Sequence, residues 1–156
     1  MLAAFLSAGA VLAAETAVRT RINRAPQGTY PRMLTRHVEI RRAYNRGIVG
    51  SRFENRPALA TAIQTAATLV AFGAVALVKL SDMRVPLYGR VGAGLLLGGA
   101  FANTAERYAK GHVTDYVYLK DSPVPLLRKR IWNLADAAIF NGAVLTAAGI
   151  AFGGNL

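Results

Sequence analysis

Two carboxylates late in the chain occupy positions where a charge is costly. Asp115 lies in a short polar segment between two apolar runs, and Asp136 stands at the start of the last apolar run. An ionisable group at a membrane boundary is a candidate functional group by default. If the fold brings the two together in a low-dielectric setting, they cannot both ionise, so one can activate water as a base while the other polarises a carbonyl as an acid. The pair therefore indicates acid/base hydrolysis of a peptide bond, with helix caps and snorkelling side chains as the structural alternative.

Two asparagines have the spacing needed to serve this pair. Asn133 precedes Asp136 by three residues, and Asn103 precedes Arg107 by four. On a helix each spacing puts both side chains on one face, where they can donate hydrogen bonds to a carboxylate. We therefore expect Asn103, Arg107 and Asn133 to lie around the two carboxylates.

The stretch from Asn103 to Gly142 resembles the signal peptidase II family, the prolipoprotein signal peptidases. That family carries the motif N-x-x-D-R-x-x-x-G-x-V-x-D-F and, further along, F-N-x-A-D-x-x-I-x-x-G. The matching residues in this chain are Asn103, Glu106, Arg107, Gly111, Val113, Asp115 and Tyr116, followed by Trp132, Asn133, Ala135, Asp136, Ile139 and Gly142. Order and spacing agree, but Glu106 replaces an Asp of the family pattern, and Tyr116 and Trp132 each replace a Phe.

Two weaker matches precede this stretch. Glu15 and Arg19 stand where the family has D-x-x-x-K, so the charges agree but the residue types differ; taken alone, they are typical of an ordinary helical ion pair. Asn45 and Gly47 resemble the family's N-x-G motif, whose Asn side chain contacts the bound substrate, although Asn and Gly also mark turns. The family usually continues to a Phe where this chain has Gly50.

The resemblance implies an aspartic endopeptidase of the bacterial cell membrane, with Asp115 and Asp136 as the catalytic residues and no metal or cofactor. The substrate would be a prolipoprotein whose cysteine already carries a diacylglyceryl group, cut just before that cysteine near the outer face of the membrane. The enzyme would act as a monomer. Substrate-binding or orienting roles would fall on Glu15, Arg19, Asn45, Gly47, Asn103, Arg107 and Asn133.

The departures at Glu15, Arg19, Gly50 and Glu106 leave a second hypothesis open. It is a non-catalytic membrane relative that binds lipid or lipoprotein, or a subunit of a membrane complex. Retention of both aspartates favours the peptidase. A transporter or channel is disfavoured because the apolar runs carry no charges in their middles.

The overall composition is that of a membrane protein. Hydrophobic residues make up 53% of the chain and charged residues 17%, and there is no cysteine. The two histidines, His37 and His112, are far apart, so a metal cluster is not expected. The net charge of +11 is interrupted by long apolar runs, which indicates anionic phospholipid and not nucleic acid as the partner.

The apolar runs predict an all-α membrane protein of one domain, with transmembrane helices at about 1–22, 58–78, 86–105 and 133–152. Gly94 and Gly98 would let another helix approach the third span closely. A cleaved signal peptide is an alternative for the first run, but no basic residue precedes it.

The segments 23–57 and 106–132 are predicted to lie outside the membrane. Alternating residues at 37–44 and 112–118 indicate short strands in a small hairpin or sheet. Asp115 would then point towards protein with the neighbouring valines, while Tyr116 and Tyr118 on the other face would anchor at the membrane interface.

The distribution of basic residues conflicts with the orientation that the family implies. Sixteen of the nineteen Lys and Arg residues fall in 19–57 and 106–132, and only Lys79, Arg84 and Arg90 fall on the opposite side. The positive-inside rule would place the two arginine-rich segments in the cytoplasm. We retain the family orientation because a diacylglyceryl substrate is presented outside, and we expect the excess arginine to bind phospholipid headgroups or an accessory protein.

Overall fold

The computed structural model of the chain describes residues 2–48, 52–81 and 83–153. Five helices and four short strands form in the described part. The helices are α1 (Leu2–Arg24), α2 (Pro57–Leu80), α3 (Leu87–Lys110), α4 (Pro125–Arg128) and α5 (Leu134–Phe152). The strands are β1 (Arg32–Met33), β2 (Val38–Asn45), β3 (Val113–Leu119) and β4 (Ile131–Trp132).

Three helices confirm apolar spans predicted from the sequence. Within the described ranges, α1, α2 and α5 are long and apolar enough to cross a membrane, so the fold is of a membrane type. The third predicted span, 86–105, ends too early, because α3 continues to Lys110 and carries Glu106 and Arg107 within its last turns. The same helix carries Arg90 near its start, and its crossing of the membrane stays a prediction.

Glycines let α3 lie at the centre of the helices. Gly94 and Gly98 face α1, and a β-carbon at Gly98 would lie only 2.8 Å from the Cα of Ala8. Gly149 of α5 meets Gly89 of α3 in the same way, since a β-carbon at Gly149 would lie 2.7 Å from the Cα of Gly89. The predicted close approach at Gly94 and Gly98 is confirmed, and the small residues let backbones pack directly against each other.

The four strands form one antiparallel sheet in the order β1-β2-β3-β4. Strands predicted at 37–44 and 112–118 are therefore confirmed. In the central pair, Ala43 lies opposite Asp115 and Asn45 lies opposite Val113, with an irregularity between Ile40 and Ala43. This register brings the end of β2 next to Asp115.

Short connections join this sheet to the ends of the helices. Gly111 closes α3 in the left-handed conformation with φ 73°, and β3 begins two residues later. At the other end, β4 is separated from α5 by Asn133 alone. The sheet consequently places Asp115 close to the first turn of α5, which holds Asp136.

Two features of 106–132 differ from the prediction. The segment contains a one-turn helix, α4. In addition, the face of β3 that was predicted to anchor at the membrane interface lies inside the protein over the first residues of the strand. Thr114 and Tyr116 are buried in the protein, as Asp115 is. Both faces of β3 are covered at this point. Thr114 and Tyr116 share one face, where Glu106 of α3 accepts from the Thr114 hydroxyl and the backbone N of Leu134, at the start of α5, donates to the Tyr116 hydroxyl. Asp115 lies on the other face, where Asn45 and Asn133 donate to it.

Candidate active site

Asp115 is a buried carboxylate held by two amides. Asn45 of β2 donates from Nδ2 to Oδ2 at 3.1 Å, and Asn133 donates from Nδ2 to Oδ1 at 2.7 Å. Only 6% of the Asp115 surface is exposed. Each carboxylate oxygen thus has one fixed donor, and the orientation of the group is set from both sides.

Asp136 is held at the N-terminus of α5. Asn133 is the cap of this helix: its Oδ1 accepts from the backbone N of Asp136 at 2.8 Å, and its own backbone N donates to Asp136 Oδ2 at 3.2 Å. The other oxygen of Asp136, Oδ1, accepts from Asn103 Nδ2 at 3.0 Å. The reciprocal bonds form a capping box, so the helix-cap interpretation of Asn133 holds and coexists with its contact to Asp115.

Asn133 therefore contacts both carboxylates at once. Its side-chain amide donates to Asp115 and its backbone amide donates to Asp136. The two acids face a common residue, and each has a further asparagine, Asn45 or Asn103, on its other oxygen. This arrangement fixes the positions of both acids.

The surroundings of Asp115 make it a proton carrier near neutral pH. Burial raises the pKa of Asp115 most, and the negative charge of Asp136 raises it further. The hydrogen bonds from Asn133 and Asn45 and the charge of Arg19 oppose this, and the resulting pKa is about 7. Because a protonated carboxyl can donate to a carbonyl oxygen, Asp115 is suited to act as an acid at this pH.

A buried arginine on α1 fixes the asparagine that holds Asp136. Arg19 donates from Nη2 to Asn103 Oδ1 at 2.6 Å and from Nη1 to the Ala102 carbonyl at 3.2 Å. The amide of Asn103 is thereby oriented with its oxygen towards Arg19 and its nitrogen towards Asp136. Arg19 thus acts on Asp136 through one intervening side chain.

The charge of Arg19 is balanced by two buried glutamates. Its Nε lies 2.6 Å from Glu15 Oε1 and 3.0 Å from Glu106 Oε2, and all three side chains are almost fully buried. These short distances are charge contacts without hydrogen-bond geometry at Nε. The pair Glu15 and Arg19 is therefore not an ordinary surface ion pair, but part of a cluster that joins α1 to α3.

Tyr116 links this cluster to the start of α5. Its hydroxyl donates to Glu15 Oε2 at 2.8 Å and accepts from the backbone N of Leu134 at 3.1 Å. Burial and the Glu15 charge raise the pKa of Tyr116, so the hydroxyl stays protonated. Sequence reasoning treated Tyr116 as an interfacial anchor, which is wrong; its replacement of a Phe in the family pattern was the available signal that a hydroxyl had been added.

Glu106 ties the end of α3 to β3. Its carboxylate accepts from the Thr114 backbone N at 2.9 Å and from the Thr114 hydroxyl at 2.8 Å, while Lys110 donates to it at 2.9 Å. Thr114 is fully buried and neighbours Asp115 in the strand. The position of Asp115 along β3 is thus fixed by a carboxylate on the neighbouring helix.

Arg107 holds the loop that follows β2. It donates to the carbonyls of Arg46 at 2.9 Å and Gly47 at 2.6 Å, and to Gln64 Oε1 of α2 at 2.8 Å. The sequence predicted that Arg107 lies around the two carboxylates, but its hydrogen bonds within the described residues go to neither of them. Arg107 instead fixes the backbone immediately after Asn45, and Gln64, which the sequence showed only as a polar residue within a span, is its partner. Gly50 lies outside the described residues.

A cavity of about 330 Å³ opens beside Asp115. It is lined by Ala43, Tyr44, Asn45, Asp115, Lys129, Arg130 and Ile131. A larger cavity of about 540 Å³ is lined by residues from the distant helix ends, including Lys79, Arg84 and Arg90, and contains neither carboxylate. The smaller cavity is the better candidate for a reaction site because the buried acid faces it.

Comparison with known proteins gives one consistent family. The sequence profile described as "Signal peptidase (SPase) II" matches residues 7–152. A lipoprotein signal peptidase of Mesorhizobium japonicum is 36% identical over 107 residues, which are 67% of this chain and 58% of that protein. Another, of Methylorubrum extorquens, is 31% identical over 117 residues, which are 74% of this chain and 65% of that protein. The matched region thus covers less than two thirds of either relative's length.

Two solved structures, both described as bacterial membrane enzymes, share the fold. The first has a TM-score of 0.74 at 20% identity and covers 91% of this chain and 83% of its own. The second has a TM-score of 0.72 at 19% identity and covers 92% of this chain and 89% of its own. At these identities the likeness concerns the fold alone.

The buried charge cluster generates a stability prediction. Replacing Arg19 by Met should lower the free energy of unfolding by about 3 to 5 kcal/mol, because Glu15 and Glu106 would then be buried without their shared counter-charge. Thermal unfolding in detergent measures the effect. Arg21→Met, at an exposed position of the same helix, is the matched control and should change stability by less than about 1 kcal/mol. Equal losses in the two variants would contradict a central role for the Arg19 cluster.

Proposed function

Because the chain belongs to the signal peptidase II family, we propose that it is an aspartic endopeptidase that removes the signal peptide from diacylglyceryl-modified prolipoproteins. The observation that carries this proposal is the pair of acids, Asp115 and Asp136, both hydrogen-bonded to Asn133. The relatives from Mesorhizobium japonicum and Methylorubrum extorquens are both lipoprotein signal peptidases.

The two acids divide the chemistry between them. Asp115, with a pKa of about 7, carries the shared proton and donates it to the oxygen of the scissile carbonyl. Asp136 accepts a proton from a water molecule as the water oxygen attacks the carbonyl carbon. When the tetrahedral intermediate collapses, the C–N bond breaks and Asp136 gives that proton to the leaving nitrogen, while Asp115 takes back a proton from the hydroxyl that becomes the new carbonyl. No covalent intermediate with the protein is needed.

The residues around the acids supply orientation and substrate contact. Asn103 is held by Arg19, which in turn pairs with Glu15, and it fixes Asp136. Asn133 fixes both acids. Asn45 faces the cavity beside Asp115, and its Nδ2 is used on Asp115 while its buried Oδ1 has no partner among the described residues. Asn45 is therefore placed to accept a hydrogen bond from the substrate, and Arg107 holds the backbone at Gly47 that follows it.

The departures from the family pattern support an enzyme better than a non-catalytic relative. Glu15, Arg19, Glu106 and Tyr116 contact one another in a single buried cluster. Such a set of paired charges would be costly to keep without a role, since replacement by apolar residues is often neutral or stabilising. The cluster ends on Asn103 and on the first turn of α5, the two supports of Asp136.

The site requires the membrane. We propose that the whole chain is one membrane domain in which α1, α2, α3 and α5 all cross the bilayer of a bacterial cell membrane as a monomer, with the sheet and both acids near its outer face. A lipid-modified substrate then reaches the cavity beside Asp115 while its acyl chains stay in the bilayer. Exposed arginines of the sheet side would bind anionic phospholipid headgroups.

Removal of either proton carrier tests the mechanism. Asp115→Asn and Asp136→Asn should each abolish cleavage of a diacylated prolipoprotein, because an amide can neither take nor give the proton. Turnover of purified protein in detergent or liposomes measures this. Both variants should remain folded by thermal unfolding, since an amide preserves the shape of the side chain. Near-normal turnover by either variant would show that the acids are not the catalytic pair.

The raised pKa of Asp115 predicts how activity and stability depend on pH. The folded protein holds the Asp115 proton more tightly than the unfolded chain, so stability from this group is present at low pH and is lost as pH rises from about 4 through 7. Turnover should likewise fall above about pH 7, by up to roughly tenfold per pH unit, as the shared proton leaves. Asp115→Asn should flatten the stability loss between about pH 4 and pH 7. An unchanged slope would exclude Asp115 as the titrating group.

Cysteine labelling tests the four spans and their orientation. The chain has no cysteine, so Arg32→Cys, Ser81→Cys and Ser122→Cys can each be introduced alone. Positions 32 and 122 should react with an impermeant maleimide on intact cells, whereas position 81 should react only after permeabilisation. Labelling of position 81 alone would support the inverted orientation that the arginine distribution favours.

A further inference from the structure

The cavity beside Asp115 is lined by two side chains whose buried polar atoms lack partners. Asn45 Oδ1 is an acceptor and Arg130 Nη1 is a donor, and neither makes a hydrogen bond with any residue in the described part of the chain. Arg130 also forms no salt bridge there with a carboxylate. A buried unpaired donor on a charged group is costly and in native proteins calls for a ligand or a functional reason.

The fold holds the Arg130 backbone in place. Lys129 N donates to the Pro125 carbonyl at 3.1 Å, which closes α4, and Trp132 Nε1 donates to the Leu127 carbonyl at 3.1 Å. Trp132 is itself paired with Val117 in the sheet. Arg130 thus lies between a closed turn and a strand. The Arg130 side chain is half-buried.

The chemistry of the cavity restricts what can bind the Arg130 donor. Lys129 and Arg130 line the cavity beside the Asn45 oxygen, which can only accept a hydrogen bond, so an anion could pair with Arg130 but would leave Asn45 Oδ1 without a donor. A neutral group that offers both an N–H and a C=O satisfies both orphan atoms. The peptide unit of an extended main chain is such a group.

We propose that Arg130 is a substrate-binding residue whose Nη1 donates to a main-chain carbonyl of the substrate, while Asn45 Oδ1 accepts a main-chain N–H. This inference rests on the proposed peptidase function, and it adds a recognition residue to the two acids and Asn45. Arg130 binds the peptide and does not take part in proton transfer. Its loss therefore weakens substrate binding more than it slows the chemical step.

The test is the kinetics of Arg130→Met on a diacylated lipopeptide. KM should rise about 10- to 100-fold, the range expected for losing a hydrogen bond from a charged donor, while kcat changes less than about threefold. Arg130→Gln, which keeps an N–H donor without the charge, should recover part of the loss. Arg128→Met, an identical change at the exposed end of α4, is the control and should leave both constants unchanged.

Three results would overturn the inference. They are an unchanged KM in Arg130→Met, an equal effect in Arg128→Met, and a fall in kcat with constant KM. A substrate with ether-linked lipid chains has no ester carbonyl, so it tests whether Arg130 binds the peptide or the lipid. The rise in KM caused by Arg130→Met should persist with this substrate. If the rise disappears, Arg130 binds an ester carbonyl of the lipid instead. Thermal unfolding excludes a folding defect.

Failure of the proposed function would be visible separately. If the wild-type protein does not cleave the lipopeptide, the peptidase assignment falls, and lipopeptide binding still tests Arg130. Binding to Arg130→Met should then be about 10- to 100-fold weaker than to wild type, with Arg128→Met unchanged. Equal affinity of all three proteins would overturn the Arg130 inference whatever the activity.

Discussion

A guanidinium buried between two helices is the constraint on which the site depends. Arg19 has almost no contact with solvent, and such a charge is tolerated only when it is paired and hydrogen-bonded. Glu15 supplies one counter-charge from its own helix and Glu106 supplies the other from α3, so the cost of burial forces α1 and α3 into one relative position. The glycines at the α1/α3 contact allow the backbones to come close enough for these short contacts. Packing and electrostatics therefore fix the same geometry.

Arg19 helps to fix the positions of both acids through neutral groups that lie between it and them. Asn103 connects Arg19 to Asp136. Tyr116 connects Glu15, the partner of Arg19, to the backbone at the first turn of α5. Neutral relays matter because a cation in direct contact would keep an acid ionised. The hydrogen bonds to Asp115 come instead from amides, and burial and the charge of Asp136 raise its pKa to about 7 against the opposing, more distant charge of Arg19. The cluster thus holds the site in place without removing the proton that the proposed chemistry needs.

The sequence correctly placed Asn103 and Asn133 beside the two carboxylates but misplaced other groups that support them. Hydropathy identified α1, α2 and α5, because a long apolar run predicts a membrane-spanning helix directly. Motif spacing placed Asn133 next to Asp136, because the two residues are one helical turn apart. The end of α3 was missed because charged residues that usually mark a loop are here buried by partners distant in sequence. Tyr116 was misjudged for the same reason, since its partner Glu15 lies 101 residues away. Local patterns carry no information about such pairings.

The folded structure also gives a reason for part of the arginine excess. Arg42 donates to the carbonyls of Ile22 at 3.3 Å, in the last turn of α1, and of Ala25 at 2.7 Å, just after that helix. Arg41 pairs with Glu39 and lies 3.7 Å from the centre of the Tyr118 ring. Arg19 and Arg107 are likewise used inside the protein. These four side chains satisfy carbonyls and carboxylates that would otherwise lack donors, so their presence in the sheet-side segments follows from folding. The positive-inside rule describes charges whose main interaction is with the membrane and its insertion machinery, and arginines kept for internal contacts are weak evidence about sidedness.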